Sequence, residues 1–127
     1  YKRQVTSSGK ARRRIDPEAM RAMVEAAGPC DRTVVERLLA PPGIASTTAF
    51  SMGATAATIS TVLCFAGVGH KIVAASTWKR ALECPAEKEA SRRHACKLFG
   101  DDAHWKRKAD HNRAESAMLA LWYAMHP

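Results

Sequence analysis

Short β-branched segments alternate with longer helical segments along this chain, and this alternation constrains the fold more than any other feature. "RTVVERLL" (residues 32–39) and "HKIVAAS" (residues 70–76) each have the length and composition of a buried strand. Between them, "FSMGATAATISTVLCFAG" (residues 50–67) reads as a helix of small residues that can approach a sheet closely. The pattern predicts an α/β fold with mostly parallel strands.

Three further helices are predicted by their end signals and periodicity. The first begins at Asp16-Pro17, a capping acid followed by proline, and stops at Gly28-Pro29. A basic amphipathic helix covers residues 85–100, and the last helix covers about residues 110–125. We expect the last helix to pack on the sheet through one apolar stripe, formed by Ala114, Met118, Leu121, Trp122 and Met125.

Length and charge indicate a single domain that binds a polyanionic partner. The 127 residues suit a single domain, and residues 1–14 form a basic lead segment, either flexible or hairpin-like, with six cations and no acid. Twenty Lys and Arg against 12 Asp and Glu give a net charge of +8. Such a charge favours a polyanionic partner, with nucleic acid first and an anionic membrane surface second.

The cysteines and the apolar runs indicate a cytoplasmic protein that is not secreted. The four cysteines contain no CxxC pair, which excludes the usual zinc knuckle and favours reduced thiols. No run approaches the length of a membrane-spanning helix, and the basic N-terminus lacks the apolar stretch of a signal peptide. We therefore expect no membrane partner.

Charged residues cluster where the last helix begins. His111 and Glu115 are four residues apart and share a face, and Asp110 lies at the helix start. These groups are either a cap and a favourable dipole contact, or ligands of a cation.

Glu36 is a second carboxylate in an unusual position, near the end of an apolar strand. Burying it is costly unless it is paired or binds a cation. Ligand sites form at the ends of strands in α/β sheets. The alternative is an outward-pointing residue paired with Arg32 or Arg37.

Four segments together resemble one family. "VVERLLAPPGIASTTAFSMG", "VAASTWKRAL", "AEKEASRRHACKLF" and "KADHNRAESAMLALW" occur in the order and spacing of the RuvC-like Holliday junction resolvases, especially their phage and phage-like branch. The resemblance extends from about Gly9 to Tyr123. It implies a ribonuclease H-like mixed sheet flanked by helices, a homodimer, branched DNA as substrate, and a pair of Mg²⁺ (or Mn²⁺) ions held by acidic residues.

The resemblance also implies roles for individual residues. Glu36, Asp110 and Glu115 would hold the metal ions, and His111 or Asn112 stands where relatives place another acid or a histidine. Lys79 and Lys88 match basic residues near the scissile phosphate; their alternative is a solvated surface charge. Residues that would contact DNA are Phe50, Arg80, Arg92, Arg93, Lys106, Arg107, Lys108 and Arg113. Phe50 falls in a loop that probes the junction centre in the family, and is otherwise the first anchor of its helix.

One departure from the family pattern divides the functional hypotheses. The family's first catalytic acid lies on its first strand, in a segment resembling "DPG" followed by glycines, and Asp16-Pro17 does not replace it because that pair opens a helix. We therefore expect the N-terminal strands to be truncated or absent: either the protein extends upstream of Tyr1, or the full metal site cannot assemble. The first case predicts a Mg²⁺-dependent junction-cutting endodeoxyribonuclease that hydrolyses phosphodiesters with two metal ions. The second predicts a non-catalytic DNA- or RNA-binding or structural subunit.

Overall fold

The computed structural model describes residues 2–5, 11–30, 32–100 and 104–126. They form two compact units, divided after Lys71 within a strand, and each unit is described by itself. The first contains strands β1 (Lys2–Val5) and β2 (Ala11–Arg14), helix α1 (Pro17–Ala26), strand β3 (Thr33–Glu36), helix α2 (Ser46–Phe65) and the start of strand β4 (His70–Val73). The second contains helices α3 (Ala75–Ala81), α4 (Lys88–Phe99) and α5 (His111–Met125). The single-domain organisation stays a prediction.

The basic lead segment contains a pair of strands. β1 and β2 are antiparallel, with Lys2 opposite Arg14 and Val5 opposite Ala11. This pairing agrees with the hairpin alternative, while residues 6–10 lie outside the described residues.

Helix α1 forms where its end signals predict it. The Asp16 side chain accepts hydrogen bonds from the backbone N–H groups of Glu18 (3.1 Å) and Ala19 (3.4 Å), which would otherwise lack a helical partner. Gly28 follows the helix with a φ of 77°, a conformation that glycine adopts without steric cost. The prediction for this helix is confirmed.

The β3–α2–β4 segment confirms the α/β class and corrects the predicted boundaries. β3 and β4 pair in a small two-stranded parallel sheet. β3 ends at Glu36 rather than Leu39, and β4 ends at Val73, because Ala75 already begins helix α3. Helix α2 begins at Ser46, four residues before the expected Phe50. Thr55 and Thr58 donate their hydroxyl protons to the carbonyls of Ser51 and Ala54, so these side chains are satisfied inside the helix.

Helix α2 also corrects the expectation about apolar runs. By length and composition alone its 20 residues are long and apolar enough to cross a membrane, with a mean hydropathy of 1.4 over its most apolar stretch, of which 11% is buried. The expectation that no run approaches a spanning length was therefore wrong. By itself, one such helix is weak evidence for a membrane span.

The second unit is built around the apolar face of α5. α5 packs against α3 and α4, so within this unit the partners of its stripe are helices rather than the sheet that we expected. Ala114, Met118 and Trp122 are buried as predicted, but Leu121 is half-buried and Met125 is exposed. Trp78 of α3 and Ala95 of α4 are fully buried in the same unit. This core fixes the three helices whose polar residues form the candidate site.

The ends of α4 follow from local hydrogen bonds and backbone conformation. Glu87 caps the helix by accepting bonds from the backbone N–H groups of Glu89 (2.9 Å) and Ala90 (2.6 Å), and these bonds lower the pKa of its carboxyl group. Gly100 ends the helix with a φ of 64°. α4 is therefore three residues shorter at its start than residues 85–100 predict.

Candidate functional site

Glu115 lies where three helices of the second unit meet. It is in the second turn of α5, and its Oε1 accepts hydrogen bonds from Lys79 Nζ of α3 (2.8 Å) and from Ser91 Oγ of α4 (3.1 Å). The side chains of Lys79 and Glu115 are 24% and 21% exposed, so both reach the surface. The structure thus brings together two of the residues predicted for the site and adds a third.

The surrounding core determines where Lys79 points. Its neighbour Trp78 is fully buried and anchors α3 in the unit. Lys79 Nζ lies 5.2 Å from the centroid of the Trp78 ring, within the range of a cation–π contact. Because an ammonium group has three N–H donors and one is used by Glu115, Lys79 can also donate to a bound phosphate.

The second carboxylate oxygen of Glu115, Oε2, is the atom of this residue that bears on cation binding. Within residues 72–100 and 104–126, the hydrogen bonds of the Glu115 carboxylate are made at Oε1 and none is made at Oε2. A carboxylate oxygen is a hard ligand of the kind that Mg²⁺ and Mn²⁺ prefer. Glu115 therefore fits one position in the coordination of such an ion.

The Asp110 carboxylate, unlike that of Glu115, is held by a single neighbouring residue, Arg107. Arg107 donates from its backbone N–H (3.1 Å) and Nε (3.2 Å) to Oδ2 and from Nη2 (2.9 Å) to Oδ1. The Arg107 hydrogen bonds lower the pKa of the Asp110 carboxyl group, against the opposing effect of burial. Asp110 thus caps the short 3₁₀ turn Lys108–Asp110 that precedes α5. Both oxygens of Asp110 therefore already accept hydrogen bonds from Arg107. Its role as a metal ligand stays a prediction.

The remaining predicted ligands are described each within its own unit. His111 Nδ1 donates to the carbonyl of Lys108 (3.1 Å), and Asn112 is exposed. Glu36 is half-buried at the end of β3 in the first unit, and it has an interaction partner. No group of three or more His, Cys, Asp or Glu residues that could hold a metal ion occurs in the parts of the chain that the structure describes. Of the two predicted carboxylates in the second unit, both oxygens of Asp110 accept hydrogen bonds from Arg107, whereas the hydrogen bonds of Glu115 are made at Oε1.

The predicted DNA-contacting residues of the second unit are mostly exposed. Arg80, Lys106 and Lys108 are exposed cations. Lys88, predicted to lie near the scissile phosphate, is also exposed. Arg93 is exposed and forms an ion pair with Glu89 (3.4 Å). Arg92 is instead held by Glu89 (2.6 Å) and by the Trp105 carbonyl (2.7 Å), and the Glu89 hydrogen bond raises its pKa.

Two other predicted DNA-contacting arginines are exposed but already engaged. Arg107 is bound to Asp110, and Arg113 Nη1 donates to the His104 carbonyl at 3.5 Å. Phe50, exposed on α2, belongs to the first unit.

Sequence reasoning missed Ser91 and Cys84. Ser91 is fully buried, and Cys84 Sγ lies 3.3 Å from its hydroxyl. The sequence contained a signal that Ser91 is buried, because Ser91 and Ala95 are four residues apart on the apolar face of an otherwise basic helix. A polar residue on such a face is unusual unless it has a partner.

Comparisons with known proteins support the fold. No protein-family model matches the chain, and no curated protein matches it. Among solved structures, T. thermophilus RuvC in complex with a Holliday junction substrate is similar, with a TM-score of 0.63 and 16% identity. The match covers 86% of this chain and 65% of that one, so this chain spans less than two thirds of the RuvC chain. At this identity the likeness shows the fold alone, and the chain has a mixed α/β fold similar to that of RuvC.

Proposed function

We propose that this chain is the nuclease domain of a RuvC-like resolvase, which cuts branched DNA such as the four-way junction with the help of Mg²⁺ or Mn²⁺. The observation that carries this proposal is the position of Glu115 on a RuvC-like fold, with one carboxylate oxygen available beside a lysine. The similar RuvC structure contains a Holliday junction substrate, which supports branched DNA as the partner. The proposed setting is a homodimer in the cytoplasm of a bacterial or phage-infected cell.

In this proposal Glu115 contributes a carboxylate oxygen to the metal, and the role of Glu36 as a further ligand stays a prediction. A bound Mg²⁺ would supply an activated water and neutralise charge on the phosphate. Lys79 contributes two functions of its own: it holds Glu115 Oε1 in place and donates to a phosphate oxygen on which negative charge develops. Asp110 is proposed to stabilise the turn that precedes α5 through its hydrogen bonds with Arg107.

The exposed cations of the second unit are proposed to hold the DNA backbone. Phosphate contacts fix the register of a protein on DNA without reading its sequence. The net charge of +8 makes this term large, so junction affinity should fall steeply as salt rises.

A second candidate function is binding of branched nucleic acid without cleavage. Two observations favour it: Arg107 occupies both oxygens of Asp110, and the described residues contain no cluster of three metal-binding side chains. A protein of this kind would keep the basic surface and would need no metal for binding.

Cleavage of a labelled four-way junction, beside a linear duplex of the same sequence, separates the two candidates. With Mg²⁺ we expect symmetric nicks in the junction only, and with a chelator none. Glu36→Gln and Glu115→Gln should abolish cutting and largely spare binding, while Glu25→Gln on the exposed face of α1 serves as the control. A junction that is bound but never cut would support the second candidate, and a protein that binds no junction would contradict both.

A further inference from the structure

The two strands at the start of the described chain carry a dense positive charge. We call the antiparallel pair of β1 (sequence KRQV) and β2 (sequence ARRR) the basic ribbon. Five of its eight residues are lysine or arginine, and none is acidic. The ribbon therefore concentrates in one small element a large part of the positive charge of the first unit.

The register of the basic ribbon places cations directly opposite one another. Lys2 pairs with Arg14, and Arg3 pairs with Arg13. Like charges at directly opposite positions destabilise an antiparallel pair, whereas opposite charges at the same positions stabilise it. Departures from such local rules are expected at functional sites. The register thus indicates that these positions serve something other than the stability of the ribbon.

The described structure gives the basic ribbon little other support. Within residues 2–5, 11–30, 32–100 and 104–126, no third strand joins the ribbon, and β1 and β2 contact chiefly each other. A two-stranded ribbon without further packing is only marginally stable in water. A polyanion that neutralises the opposed cations would remove their repulsion, and its binding would therefore stabilise the ribbon.

The alternation of residues along the strands indicates which polyanion fits. Successive positions of a strand lie on opposite faces, so the Lys2–Arg14 pair belongs to one face of the ribbon and the Arg3–Arg13 pair to the other. A flat anionic membrane would meet one face only, and the strands contain no aromatic residue, leucine or isoleucine that could anchor them in it. The major groove of B-form DNA is about 12 Å wide and admits a two-stranded ribbon between two phosphate backbones.

We infer that the basic ribbon enters the major groove of a DNA duplex and contacts the phosphates on both sides of the groove. This inference rests on the proposed function, in which such a duplex is an arm of the branched substrate. It adds an element of the first unit to the exposed cations that are proposed to hold DNA in the second. Phosphate contacts of this kind position the protein on DNA and involve no metal ion.

Charge reversals in the full chain test the binding role. Arg13, which lies opposite Arg3, and Arg12, which lies opposite the neutral Gln4, are each changed to glutamate. Arg21→Glu, on the exposed face of α1, is the control with the same change in net charge. Binding to a labelled linear duplex is measured by fluorescence anisotropy over a range of salt concentrations without divalent metal. We expect Arg13→Glu and Arg12→Glu to weaken binding about 10-fold and to reduce the salt slope by about 1, and Arg21→Glu to keep the wild-type slope.

Amide hydrogen exchange in the same proteins gives a second readout with the opposite sign. Arg13→Glu places an acid opposite Arg3, so the amides of β1 and β2 should exchange more slowly in the free protein. Arg12→Glu has no cation opposite and should change this exchange less. Added duplex should slow exchange of the same amides in the wild type. A purely structural role would instead let the more stable ribbon of Arg13→Glu keep its DNA affinity.

The outcomes separate this inference from the proposed function. Ribbon variants that bind the duplex with the affinity and salt slope of Arg21→Glu would overturn the inference. It would also be overturned if these variants lost binding only to vesicles of anionic lipid, which would assign the ribbon to a membrane surface. A wild type that binds the duplex through the ribbon but cuts no four-way junction would contradict the proposed nuclease function and support the inference. A wild type that binds no DNA would contradict both.

Discussion

The ion pair between Lys79 and Glu115 should be measurable by its contribution to stability. At 2.8 Å two unit charges attract by about 6 kcal/mol in an effective dielectric of about 20. Desolvation and the loss of lysine side-chain freedom offset most of this attraction. Exposed pairs contribute about 0.2–1 kcal/mol, and breaking a buried pair costs about 3–5 kcal/mol. Since both side chains are about a quarter exposed or less, we expect a coupling of about 1–2 kcal/mol.

A double-mutant cycle measures this coupling. Lys79→Met, Glu115→Gln and the double variant are unfolded in urea, and the coupling is the difference between the double variant and the sum of the single ones. The value should change little with added salt, because the pair is only partly solvated. The exposed pair Arg21–Glu25 of α1, treated in the same way, should give less than about 0.5 kcal/mol. A Lys79–Glu115 coupling no larger than this control would refute the geometry of the site.

Two further predictions concern the second unit. Met118 is fully buried in α5, so Met118→Ala should lower the free energy of unfolding by about 2–5 kcal/mol in urea, whereas the same change at the exposed Met125 should cost far less. The Arg107 hydrogen bonds hold the pKa of Asp110 below its ordinary value of 3.8, so their contribution to stability is present above that value and is lost as the pH falls through the lower folded pKa. Asp110→Asn should therefore be destabilised at neutral pH and lose less stability than wild type on acidification below pH 3.8, as followed by urea unfolding at several pH values. Parallel pH profiles for the two proteins would contradict this account.

Local signals in the sequence predicted the elements that depend on local physics. The cap at Asp16-Pro17 and the stop at Gly28 predicted α1 closely, because its ends are set by hydrogen bonds within a few residues. The alternation around β3, α2 and β4 predicted the α/β class. Helix α3 was missed, because the strand-like "HKIVAAS" was extended over its first residues. The early start of α2 was missed because "ASTTA" has the composition of a loop.

The sequence by itself determined the kinds of residue available to the site. It determined that a basic chain carries carboxylates at Glu36, Asp110 and Glu115, and a lysine beside a tryptophan at residues 78–79. Spacing within one helix could also show which residues share a face, because the helical repeat is fixed.

Only the tertiary structure decided how these residues are paired. It placed Glu115 beside Lys79 and Ser91, which are 36 and 24 residues away in the chain, and committed Asp110 to its neighbour Arg107. The physical reason is that contacts between helices depend on how buried faces such as those of Trp78 and Met118 pack, and no spacing within a single helix encodes that packing.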